Sequence, residues 1–189
     1  LRNAGYRVGL YTSPHLVHVC ERIQINRTLM AESEMIRMVS RVKKAAEDIE
    51  LPITFFEFAT AMAFLHFSEQ KTDINVIEVG MGGRLDATSL CRGDISIIAS
   101  ISKDHTAYLG EEVEKISFEK ASILKEGGTV FAMKGIEEVN QIIKDIADQK
   151  SAKLNFLGDH FWVEGTSNKT FSQYIKYSNK KLCLEDRKS

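Results

Sequence analysis

Cysteine is scarce and scattered: Cys20, Cys91 and Cys183 are the only three in 189 residues. None sits in a CxxC pair or at a metal-ligand spacing. That argues against a cysteine-ligated metal site or a disulfide framework and for three small, buried or half-buried side chains in a reducing compartment. An excess of one charge is lacking too. With 25 basic and 26 acidic residues the formal net charge is −1, so no global field recruits nucleic acid or an anionic membrane. The longest apolar stretch, ATAMAFLHF, is too short to span a bilayer. No signal-peptide pattern is present, and a cytoplasmic location is the expectation. There is no internal repeat, no low-complexity tract and no GxxxxGK[ST] phosphate loop. What is present is an ordinary globular composition, 43% hydrophobic and 27% charged, with enough apolar content for a real core.

The opening LRNAGYRVGL, which starts at Leu1 rather than Met, reads as the last turn of a helix closed by Gly5. CLEDRKS ends the chain straight after a strand-like run. The expectation is a piece that begins after a first strand and helix and stops before a later part. Strands are expected at Tyr6–Ser13, at ERIQIN (Glu21–Asn26, a short edge strand), at INVIEVG, at DISIIASIS, at Gly128–Lys134 and at Lys153–Gly158. INVIEVG and DISIIASIS are near-continuous apolar runs, as in central parallel strands. Helices are expected at Ala31–Glu50, where Met35, Met38, Val39 and Val42 recur at helical spacing, and at Thr54–Gln70, apolar on nearly every face with Thr54 as N-cap. Two more are expected at Glu111–Lys125 and Ile136–Gln149. The alternation predicts an α/β fold with a doubly wound, mostly parallel sheet. From about His160 the pattern changes to an antiparallel ribbon, with GTSNK as its turn.

Ligands of doubly wound sheets bind at the carboxyl ends of the strands. Three segments place polar residues there: YTSPHL with Ser13, EVGMGGRLD with Glu78, and SISKDHTAYLG with Asp104 and His105. Glu78 reads as a carboxylate inside a buried strand, which must be paired, metal-bound or neutralised. A salt bridge to Arg84 is one solution. Another is a hard cation shared with Ser13 and His105, since carboxylate and hydroxyl oxygens suit Mg²⁺, whereas an imidazole also suits Mn²⁺ or Zn²⁺. His105 read alone is equally a turn residue bonded to backbone. On a helical wheel Lys120 falls near the middle of an apolar arc with Val113, Ile116, Ser117, Ala121, Ile123 and Leu124. Desolvation there lowers the pKa of an amine and makes it nucleophilic, competent to form a carbamate with CO₂. The plainer reading is a snorkelling lysine. EVGMGG is not a dinucleotide fingerprint, because Leu85 occupies the third glycine position.

AGYRVGLYTSPHL, ERIQIN, TFFEFATAMAF, VIEVGMGGRLDAT, SISKDHTAYLG and FEKASILKEG together resemble the folylpolyglutamate synthase and dihydrofolate synthase family of Mur-ligase-like, ATP-dependent amide ligases. The resemblance runs from residue 4 to about residue 134. It implies the following.

The fold is the P-loop-NTPase-like central domain of a Mur ligase. Residues 1–189 form part of the ATP-binding domain, without its first strand and phosphate loop and without the C-terminal ligase domain. ATP phosphorylates the carboxylate of folate or dihydropteroate, and the amine of L-glutamate displaces phosphate. The cofactors are ATP and Mg²⁺. The partners are these small molecules, with no nucleic acid or membrane, and the protein is a monomer. Ser13, Glu78 and His105 bind magnesium. Lys120, carbamylated, and His105 serve catalysis. Thr54, Phe55, Phe56 and Glu57, with Leu85, Asp86 and Ala87, hold the pterin-bearing substrate.

The residues agree on the last point, since Phe55 and Phe56 offer π-faces to a flat heterocycle, one of them being expected in the core. ASILK replaces the more usual AGIIK. The piece alone is expected to bind ATP poorly and not to turn over. Two other readings are another amide ligase of the superfamily, against which TFFEF and GGRLDAT weigh, and a non-catalytic nucleotide-binding α/β module.

Overall fold

The computed structural model describes residues 1–50, 52–101, 113–169, 172–179 and 183–188, as backbone alone from residue 163 onward. They fall into two compact units, Leu1–Met81 with Leu85–Leu90, and Gly82–Arg84 with Cys91–Ser189.

The first unit is built on a mixed four-stranded sheet. Its strands are β1 (Val8–Tyr11), β2 (Ile23–Ile25), β3 (Thr28–Leu29) and β4 (Ile74–Ile77), in the order β3-β2-β1-β4. β1 runs parallel to β4, with Tyr11 opposite Ile77, and antiparallel to β2. The ERIQIN strand is therefore not an edge strand, because β3 covers it. Its first two residues belong to a short 3₁₀ helix, Val19–Arg22.

Two helices complete the unit, α1 (Glu32–Asp48) and α2 (Phe55–Glu69). Met35, Met38 and Val42 of α1 are buried, while Val39 is left at the surface. α2 buries Ala59, Met62, Ala63 and Phe67 against Tyr11, Ile23 and Met38. Each large side chain fully buried here stabilises the fold by roughly 1.5–3 kcal/mol. Thr54 is the N-cap of α2, as its sequence implies. Gly5 takes the left-handed conformation, φ 90°, behind the short turn Arg2–Ala4.

The second unit carries an all-parallel sheet of β5 (Ile95–Ile98), β6 (Thr129–Ala132) and β7 (Lys153–Phe156), in that order. Helices α3 (Val113–Ala121) and α4 (Glu137–Gln149) lie between successive strands in the chain. The core gathers Ile98, Leu124, Val130, Val139, Ile143 and Phe156. α3 ends earlier than its apolar pattern predicts. Lys150 Nζ donates to the carbonyls of Ser122 (3.0 Å) and Leu124 (2.5 Å), and these bonds close the turn after the helix. A three-stranded antiparallel sheet follows, in the order β10-β9-β8: β8 (Phe161–Lys169), β9 (Ser172–Asn179) and β10 (Cys183–Lys188).

Two further expectations fail. GTSNK is not a turn: β8 runs through it, with a register shift between Val163 and Gly165 accommodating the glycine. Nor do INVIEVG and DISIIASIS take central places in the sheets of the described residues. Among the described residues β4 and β5 each end their sheet. Both expose apolar side chains, Val76 at 45%, Ile95 at 62% and Ile97 at 70%. An unbroken apolar run records composition, not the number of neighbouring strands.

Candidate active site

The β1–β4 ladder continues one residue past the strands, because the Glu78 N–H donates to the Tyr11 carbonyl at 2.9 Å. This brings the two chain exits together. The Ser13 N–H donates to Glu78 Oε2 at 2.7 Å. Glu78 is exposed and lies just outside β4, so it is not a carboxylate within a buried strand. The strand stops at Ile77, and the next side chain meets water at the carboxyl end of the sheet. The pair that Arg84 forms is with Glu119, its Nε donating to Glu119 Oε1 at 2.9 Å. The Ser13 backbone thus holds the Glu78 carboxylate at the ends of the two strands, and the two residues carry a carboxylate and a hydroxyl, hard oxygen donors that fit Mg²⁺. Among the described residues no three His, Cys, Asp or Glu side chains are grouped so as to hold a metal ion. Asp104 and His105 lie outside the described residues.

The glycine-rich loop after β4 is organised by Asp86, which is nearly buried. Its Oδ2 accepts from the N–H groups of Gly80 (3.1 Å) and Met81 (3.0 Å), and its Oδ1 from Thr88 N–H (2.9 Å) and Thr88 Oγ1 (2.5 Å). With four donors the carboxylate is engaged in shaping the loop. Leu85 beside it is 79% exposed, and Ala87 is half-buried. Gly80 is required for closeness: a Cβ there would stand 2.4 Å from Phe56 Cζ.

Thr54 and Glu57 cap α2 reciprocally. Glu57 N–H donates to Thr54 Oγ1 (3.2 Å), while Glu57 Oε2 accepts from Thr54 N–H and Thr54 Oγ1, each at 2.7 Å. Those bonds hold the Glu57 carboxyl below its usual range, the Thr54 N–H first. The pair of phenylalanines divides as expected. Phe56 joins the core, tilted against Tyr11 with ring centroids 6.0 Å apart, and Phe55 stays 60% exposed. The Arg22 guanidinium lies over the Phe55 ring, 5.2 Å from its centroid. Sequence reasoning missed Arg22; its signal is only a cation between two positions, Cys20 and Ile23, that are themselves buried.

Lys120 sits, half-buried, in the last turn of α3, whose buried face is formed by Ile116, Ser117 and Ala121. The same turn is gripped by part of the glycine loop. Arg84 N–H donates to the Glu119 carbonyl at 3.1 Å. A Cβ on Gly83 would stand 2.5 Å from that carbonyl and 2.6 Å from Ile123 Cγ2. The structure therefore joins Ser13 to Glu78 in one unit and the Gly83–Arg84 segment to the Lys120 turn in the other.

Comparison with known proteins adds the family context. The Mur ligase middle domain model matches residues 23–183. The dihydrofolate synthase/folylpolyglutamate synthase of Escherichia coli strain K12 is 37% identical over 171 residues, 86% of this chain and 40% of that protein. Its namesake from Bacillus subtilis is 32% identical over 191 residues, 98% of this chain and 44% of that protein. Among solved structures, the apo form of L. casei FPGS superposes with a TM-score of 0.92 at 26% identity, covering 97% of this chain and 47% of that one. E. coli FolC in complex with DHPP and ADP gives 0.83 at 33% identity, covering 97% and 42%. The chain spans 40–44% of the length of these two curated relatives.

Proposed function

Because the chain belongs to the Mur ligase middle domain family, we propose that the protein carrying it joins L-glutamate to folate or dihydropteroate in a reaction driven by ATP. The names of its relatives support this substrate class, as does the pairing of DHPP with ADP named for the E. coli structure. The observation that carries the reading is the placement of Ser13 against Glu78 at the adjoining ends of β1 and β4. Phosphoryl transfer needs positioned groups and neutralised charge more than it needs covalent help from the protein. The γ-phosphoryl group moves to a carboxylate oxygen of the pterin acid, and ADP leaves. The glutamate amine then attacks the acyl carbon, loses a proton, and inorganic phosphate departs.

Glu78 and Ser13 would hold Mg²⁺, with His105 as a further ligand; bound there, the cation supplies neutralisation of phosphate charge. Glu78 is oriented for this by the Ser13 N–H. Phe55 and Leu85 offer the exposed apolar surfaces for the pterin acid. Thr54, Glu57 and Asp86 act by fixing the start of α2 and the glycine loop, Phe56 by backing them, and Ala87 by continuing that loop. Lys120, half-buried in the last turn of α3, would be carbamylated, its nitrogen adding to CO₂ with loss of a proton.

No helix of the described residues is long and apolar enough to cross a membrane. The proposal is a cytoplasmic monomer acting on small molecules, with neither nucleic acid nor membrane as partner. The test is incorporation of labelled glutamate by the full-length protein. Incorporation should require ATP, magnesium and one of the two pterin acids. Glu78→Gln should lower kcat about 100-fold or more, as removal of a positioned electrostatic group does. No incorporation with either acid, or an unimpaired Glu78→Gln enzyme, would refute the proposal.

A further inference from the structure

Arg22 has no place in the reaction just described, yet its surroundings are unusual. It is only 8% exposed, and the ion pairs among the described residues leave it out. A buried guanidinium is costly unless something supplies negative charge. Its close neighbours explain how it is held rather than what neutralises it. Its Cζ lies over the Phe55 ring, 5.2 Å from the centroid. Its Nε donates to His15 Nδ1 at 2.9 Å, so that nitrogen carries no proton of its own. The Tyr11 hydroxyl, buried and 3.1 Å from Thr60 Oγ1, also adjoins it. The carboxylate that bears on Tyr11, that of Asp86, is already engaged by four donors.

The contact with Phe55 takes up no N–H, and the hydrogen bond of the guanidinium to His15 is made by Nε, while the Tyr11 hydroxyl lies beside the rest of the group. With Nε committed, the remaining edge consists of the two Nη groups, the fork that grips a carboxylate with two parallel hydrogen bonds. The ring that fixes the fork is Phe55, whose remaining surface is open to solvent. We propose that Arg22 is the acid-recognition residue of this site: its Nη edge takes the carboxylate of an aromatic acid, with the exposed Phe55 ring as the apolar wall beside it. The identity of that acid, a pterin acid, rests on the ligase reading; the site itself does not.

The experiment has two arms, both on the full-length protein. In the first, the ¹⁵N–¹H signal of Arg22 Nε, assigned by its disappearance in Arg22→Lys, is followed during titration with sodium benzoate and separately with benzyl alcohol. Benzoate should move the signal to saturation and the alcohol should not. A signal indifferent to benzoate overturns the proposal whatever the protein catalyses.

In the second arm, binding of dihydropteroate and of its decarboxylated counterpart is compared by fluorescence. The wild type should prefer the acid by roughly tenfold or more, the effect of hydrogen bonds to a charged group. Arg22→Gln, checked for a native circular dichroism spectrum, should bind the two alike and the neutral ligand about as well as the wild type does. A variant that keeps the preference for the acid overturns the proposal, as does one that loses both ligands equally, since Arg22 would then serve only to support Phe55. If benzoate moves the signal but dihydropteroate does not bind, the acid site stands and the ligase reading fails.

Discussion

His66 of α2 is 6% exposed, and its Nδ1 lies 3.3 Å from Glu34 Oε1 of α1 without a hydrogen bond. Burial pushes the imidazole below its usual value, against the pull of Glu34, while Arg37 and Arg7 add to the depression. The neutral ring is therefore the form the fold favours. Its contribution to stability is complete above the unfolded value of about 6.5 and falls as the pH drops through that point toward the lower folded value. Urea unfolding should show lower stability at pH 5.5 than at pH 7.5, and His66→Gln should shrink that difference. An equal difference in the variant would move the effect to another group. The carboxylates held low by hydrogen bonds, Glu34 by Arg37 and Glu21 by the Leu16 N–H among them, lose their contribution only at more acidic pH, below about 4.5.

Thr54→Ala removes the N-cap of α2 and should cost about 1 kcal/mol in the same assay. That role is legible in TFFE, because a capping box is a local pattern with a fixed spacing. The four donors on Asp86 are not legible, since nothing in GGRLDAT says which way the loop folds back. The exposure of Glu78 is hidden for a related reason: Val76, Ile77 and Val79 make the run look buried throughout, although the strand ends one residue before the carboxylate.

Among elements, the turn carrying Lys120 is fixed mainly by contact with the Gly83–Arg84 segment, and the two halves of that contact differ in kind. Arg84 and Glu119 form a half-exposed ion pair, worth up to about 1 kcal/mol. Gly83 lies against a backbone carbonyl and the Ile123 side chain, neither of which can easily withdraw. Gly83→Ala should therefore destabilise the protein by about 1–3 kcal/mol, as overpacking does, while Arg84→Met stays near the lower bound. Thermal unfolding of the two variants side by side checks the order; an equal loss would contradict it.

The order of elements was legible, because helical spacing in Met35, Met38 and Val42 and the alternation of strand and helix are local signals. The neighbours of each strand were not. β4 and β5 read as central from apolar content alone, and GTSNK reads as a turn from its small polar residues, although backbone pairing carries β8 through it. α3 ends at Ala121 because Lys150, nearly thirty residues on, takes up the carbonyls after it, which no local pattern records.

For the whole molecule, the sequence holds no GxxxxGK[ST] loop to cradle phosphates, and it spans less than half of the curated relatives. The 189-residue chain by itself should accordingly show no ATP-dependent glutamate incorporation under conditions where the full-length protein does. In the proposed reaction this chain would contribute the strand ends where Glu78 and Ser13 meet, and that contribution can be measured without turnover. Mn²⁺, which takes the same oxygen donors as Mg²⁺, can be titrated into the full-length protein with ADP and followed by electron paramagnetic resonance. Glu78→Gln should weaken binding about tenfold or more, while Glu126→Gln, at an exposed position elsewhere, should leave it unchanged. Mn²⁺ binding to Glu78→Gln that matches the wild type would contradict the assignment of this carboxylate to the cation.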